Sequence, residues 1–151
     1  MTSIVTLAFL HHATAFLLVA VVTVELVLMR EVTLATARSL IRMDAVYGVA
    51  ALVMLVVGFL RVFYTEKGSA YYFHSIPFIG KITLFAIVGL LSIYPTRQFL
   101  SWRAPLKQNR VPAVDDGMRR KIRLILHIEL TLLFLMMLCA TMMARGIGVF
   151  S

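Results

Sequence analysis

Residues 45–63 read AVYGVAALVMLVVGFLRVF, an apolar run with one charge, Arg61, and no proline. A helix of that length rises about 28 Å, close to the roughly 30 Å of hydrocarbon in a bilayer. Three more runs share the property. They are 4–29 (IVTLAFLHHATAFLLVAVVTVELVLM), 76–94 (IPFIGKITLFAIVGLLSIY) and 124–143 (LILHIELTLLFLMMLCATMM). In hydrocarbon each backbone polar group must pair within its own segment, so these runs become helices despite their β-branched residues. The expectation is an all-α integral membrane protein, a four-helix up-down bundle that forms one domain over 1–151. No basic residue precedes the first run and Arg30 follows it, a pattern that predicts a retained span rather than a cleaved signal peptide.

Composition agrees with that reading. Of 151 residues, 61% are hydrophobic and 15% charged, with a mean hydropathy of +0.93. That leaves too little polar surface to cover a soluble core of this size. Cys139 is the only cysteine, which excludes an internal disulfide framework and a cysteine-based metal site. No Gly-rich phosphate loop, GxSxG elbow, HExxH or CxxC is present.

The connections predicted from these runs are short polar turns at Arg30–Asp44 and Tyr64–Ser75, and a longer one at Thr96–Arg123 with Pro105, Pro112 and the Asp115–Asp116–Gly117 turn signal. Pro77 stands where a helix begins and Pro95 near where it should end. The basic stretch Met118–Arg123 is expected to open the last helix at the membrane surface.

The net charge of +8 is distributed by connection. Eleven Lys and Arg residues fall in 30–44 and 97–123, and four (Arg61, Lys67, Lys81, Arg145) fall at the other ends of the runs. The positive-inside rule then places both termini outside and those two connections in the cytoplasm of a bacterial inner membrane. Contact with the lipid bilayer and its anionic headgroups accounts for the basic excess, and no nucleic acid is implied, because aromatic and basic residues do not interleave.

Ionisable groups inside apolar runs call for a partner or a purpose. Glu25 and Glu129 lie near the cytoplasmic ends of the first and last runs. With His127, Asp44 and Arg42 they form a candidate intramembrane polar cluster, read first as an ion-pair collar completed by Arg42, Arg97 or Arg123. Toward the other end, His11, His12, His74, Lys81 and Arg61 converge in an up-down bundle, with Tyr71 and Tyr72 nearby. Histidine can ligate a haem iron or a metal, with His12 and His74 the metal candidates, and Lys81 and Arg61 can neutralise acidic groups. The bland alternative is that these histidines only hydrogen-bond backbone or water.

The stretches AFLLVAVVTVELVLMR (15–30), DAVYGVAALVMLVVGFLRVFY (44–64), KGSAYYFH (67–74), GKITLFAIVGLLSIYPT (80–96) and ELTLL (129–133) resemble a bacterial family of four-span membrane proteins of about this length. More distantly, the layout resembles the HemJ-type protoporphyrinogen oxidases and the membrane domain of copper-resistance protein D. HemJ-type proteins pair a histidine in the first span with a His-x-Lys at the third and bind haem b. That resemblance implies His12 or His11 for the first histidine and Lys81 for the lysine. Ile79 stands at the His-x-Lys histidine, and His74 is the nearest substitute.

Three functions follow as expectations. The first is a haem-b-binding redox or porphyrin-handling protein. The second is a non-catalytic accessory subunit or scaffold in a larger membrane complex. The third is a metal-handling or transport protein that acts as a homo-oligomer, since four helices are few for a transporter.

Overall fold

A computed structural model describes residues 2–64 and 74–148. Four helices among them are long and apolar enough to cross a membrane. They are α1 (Thr2–Leu28), α2 (Leu34–Tyr64), α3 (Ile76–Ser101) and, after the short helix α4 (Arg103–Lys107), α5 (Asp116–Ala144). The chain is an all-α membrane helix bundle. Successive long helices run antiparallel. α1 packs mainly on α2 and α3 mainly on α5, so the bundle is two helix pairs joined along α1–α5 and, more sparsely, α2–α3.

Two boundaries differ from the sequence expectation. The 30–44 connection shrinks to a few residues because α2 begins at Leu34. Ala37 and Leu40 recur on one face and are fully buried, and the Arg38 and Arg42 side chains occupy the exposed face of the same helix. Thr33 and Thr36 cap its start reciprocally: Thr36 Oγ1 accepts from Thr33 N at 2.7 Å, and Thr33 Oγ1 accepts from Thr36 N at 3.2 Å.

α3 continues past Pro95 to Ser101. Its extension is held by Phe99, which is fully buried and meets Trp102 edge-on with ring centroids 5.1 Å apart. Burial of this aromatic pair outweighs the one helix hydrogen bond that proline forfeits. The 96–123 connection therefore contains the end of α3, all of α4 and the start of α5. Asp115 caps α5 by accepting from Met118 N at 2.6 Å, and the basic stretch Met118–Arg123 opens this helix as expected.

At the end of the bundle that holds both termini, Ile76 N donates to Gly148 O at 3.0 Å and ties the start of α3 to the segment after α5. Gly148 has φ +80, and a Cβ there would stand 3.0 Å from Pro77 Cδ. Both features favour glycine here. At the opposite end, which carries α4, Arg38 donates to Asn109 Oδ1 at 2.7 Å and pins the turn before α5.

Candidate functional site

Each long helix sends one stripe of side chains, spaced three or four residues apart, into the seam between the two pairs. α1 supplies His11, Ala15 and Leu18; α2 supplies Met54, Gly58 and Arg61; α3 supplies Phe78, Lys81 and Phe85; α5 supplies Met136, Ala140 and Met143. Near the termini end these stripes do not close on one another. A cavity of about 580 Å³ opens between α1 and α5, and a crevice of about 120 Å³ opens between α2 and α3. His11, Arg61 and Lys81 line both.

Lys81 Nζ donates to His11 Nε2 at 3.0 Å. An ammonium has no acceptor to offer, so this pairing calls for the His11 tautomer with its proton on Nδ1. That nitrogen is buried with no hydrogen-bond partner. Gly58 lies beside the ring, and a Cβ there would meet His11 Cε1 at 3.7 Å, an ordinary packing distance. Arg61 is close enough to act on His11 electrostatically. Among the described residues no carboxylate forms an ion pair with Lys81 or Arg61; the only ion pair there joins Arg119 and Asp116 at 2.6 Å. Two cations in an apolar seam, with no counter-ion among the described residues, form a site suited to an anion.

The other expected residues divide. His12 lines the cavity on its exposed side, where its Nδ1 donates to Ala8 O at 2.6 Å. His74 is exposed in the turn before α3 and lines neither opening. Among the described residues, no three His, Cys, Asp or Glu side chains are grouped to hold a metal ion. Tyr71 and Tyr72 lie outside the described residues.

At the α4 end, Glu25 of α1 and Glu129 of α5 are 3% and 1% exposed. Their neighbours are not the expected arginines. Asp44 and Glu129 are the charges that act on Glu25, and Asp44 is the charge that acts on Glu129. Tyr47 sits among the three acids and meets Ser92, and Asp44 accepts from Thr96 Oγ1 at 2.7 Å. Glu25 Oε1 and Glu129 Oε1 have no hydrogen-bond partner. Arg42 and Arg97 are exposed, and Arg123 is half-buried with its Nε unpartnered. His127 is exposed, its Nδ1 donating to Arg123 O at 2.7 Å. The ion-pair collar is thus replaced by an acidic cluster, because helix rotation turns Arg42 and His127 to the outside.

Residues 3–148 match the DUF2214 family, described as predicted membrane proteins. The chain belongs to this family. No curated protein and no solved structure matches it. Membership fixes a membrane protein over nearly the whole length, and within it the chain carries two buried polar groupings, one at each end of the bundle. Met54, Gly58, Met136 and Met143 line the site without being among the residues expected from the sequence. The available signal was the spacing 54–58–61 and 136–140–143, in phase with His11–Ala15 and Lys81–Phe85.

Proposed function

We propose that this protein binds an acidic, largely apolar ligand in the seam near its termini end, and that haem b is that ligand. The observation that carries the reading is the His11–Lys81 pair beside Arg61, walled by Phe78, Phe85 and methionines, with no counter-ion among the described residues. The cavity of about 580 Å³ falls within the roughly 300–1,000 Å³ of small-molecule and cofactor sites.

The donor set fits. His11 is the iron ligand, because His12 faces outward at the cavity mouth and His74 does not line the site. Lys81 is long enough to leave Nε2 and pair with one carboxylate while Arg61 takes another. Bound haem would supply one-electron redox chemistry. The protein's own part is to hold it, to exclude water from its faces and to neutralise its acid groups.

The test is to purify wild type and His11→Ala, His12→Ala and His74→Ala variants after haem-replete expression, and to record oxidised and reduced spectra. We expect a Soret band that His11→Ala alone shifts or abolishes. If wild type carries no haem, the cofactor assignment fails and an accessory-subunit role becomes the better reading.

The same proposal places the α4 end in the cytoplasm of a bacterial inner membrane, on the strength of the eleven-to-four division of cations. Single cysteines at Asn109 and Arg145, in a Cys139→Ser background, would be probed with an impermeant thiol reagent on intact cells. Labelling at Arg145→Cys and protection at Asn109→Cys is expected, and the opposite pattern reverses the orientation.

A further inference from the structure

The cationic pair is reachable from two opposite flanks of the bundle, and both flanks lie within helices that cross the membrane. One mouth is bordered by Phe16 of α1 and Thr141 of α5, the other by Phe59 of α2 and Ile82 of α3. All four are exposed on the helix surfaces that face lipid. The wider opening includes small residues, Ala15 and Ala140, on facing helices. The narrower crevice, about 120 Å³, is near the size of an apolar cavity that holds a single ring.

A molecule dissolved in the bilayer therefore meets this site without crossing water. What draws it in is charge. An acid group in hydrocarbon is poorly solvated, and Lys81 and Arg61 offer it donors that no carboxylate among the described residues already occupies. A zwitterionic lipid brings its own cation and gains less.

We infer that the seam admits lipid-soluble acids as a class, sideways from the hydrocarbon between α1 and α5, with the acid group held by Lys81 and Arg61 and the apolar body left between the helices. This rests on the reading of the seam as an acid-binding site, and it extends that reading from one macrocycle to the way any such ligand arrives.

The test needs no haem. Trp102→Phe with Phe85→Trp puts the single tryptophan on the wall of both openings. In nanodiscs of phosphatidylcholine, 12-bromostearic acid should quench it saturably and more strongly than brominated phosphatidylcholine does at the same mole fraction. Arg61→Gln with Lys81→Leu should weaken that saturation about tenfold, as expected for the loss of charge-assisted bonds. Lys81→Arg, which keeps the cation, should retain it. Ala140→Phe should reduce quenching by filling the wide mouth.

Quenching by the acid no greater than by the phospholipid, or indifferent to loss of both cations, overturns the inference. Quenching untouched by Ala140→Phe overturns the α1–α5 route. A haem spectrum that depends on His11, together with failed bromo-acid quenching, would leave the cofactor assignment standing and remove only this class of ligand. Saturable quenching in a protein without haem would do the reverse.

Discussion

The two ends of this bundle are built from the same four helices, and they differ in charge and closure. At the α4 end, buried Glu25 and Glu129 and half-buried Asp44 share a region whose core includes Phe99, Trp102, Ile122 and Leu126, four side chains at most 3% exposed. At the termini end, His11, Lys81 and Arg61 line a seam with two openings. About 21 Å of α1 separates His11 from Glu25 on one helix stripe, and Leu18 and Val22, 2% and 0% exposed, fill the interval. Neither polar group is explained by stability alone. The closed end holds acids that the nearby arginines do not pair, and the open end holds cations without an acid among the described residues. Where packing is complete, a polar group has only the protein to answer to. Where it is incomplete, the polar group is available to a ligand.

That contrast can be broken most forcefully through packing. Phe99→Ala should cost about 3–5 kcal/mol, because the fully buried ring leaves a void among rigid neighbours. Phe85→Ala, beside space that already exists, should cost well under half as much. Equal losses in detergent unfolding midpoints would mean that the termini end is as tightly packed as the α4 end.

The acids provide the next test. Glu25→Leu with Glu129→Leu removes two buried oxygens that have no partner, so the double variant should be more stable by about 1–3 kcal/mol. A large loss in thermal stability would instead show that an arginine depends on them.

Much of this fold is legible from the chain, because four runs of the right length leave the backbone no alternative in lipid. The helix edges are less so. Arg38 and Arg42 read as a boundary, yet they are the exposed side of a helix whose other side carries Ala37 and Leu40. Within the site, the convergence of His11, Arg61 and Lys81 follows from an up-down bundle alone. Choosing His11 over His12 required knowing how α1 is rotated, and a near-uniform apolar helix gives no moment from which to read it. The same blindness assigned arginines to Glu25 and Glu129. Charge complementarity suggests partners, but rotation decides them.

Two smaller effects sharpen the comparison at the ends themselves. Gly148→Ala should cost about 1–2 kcal/mol through its positive φ and the approach to Pro77, loosening the termini end where the seam opens. Thermal unfolding would read the cost, and a midpoint equal to wild type would mean that the Ile76–Gly148 tie does not bear on stability. Asp115→Ala should cost about 1 kcal/mol as an N-cap, visible as a lower midpoint with unchanged helicity at 20–25 °C. No change would mean that water replaces the cap.

The pairing of α1 with α2 and of α3 with α5 bears on biosynthesis. A chain leaving the ribosome completes the first hairpin before the second exists, so each hairpin can insert as a unit with its closest contacts made early. The joint between hairpins forms last and carries fewer contacts on its α2–α3 side. Fragments 1–70 and 71–151, made as separate polypeptides in one cell, should therefore find each other in the membrane and rebuild the seam. The latest-made interface of the molecule is also the one that holds its candidate site.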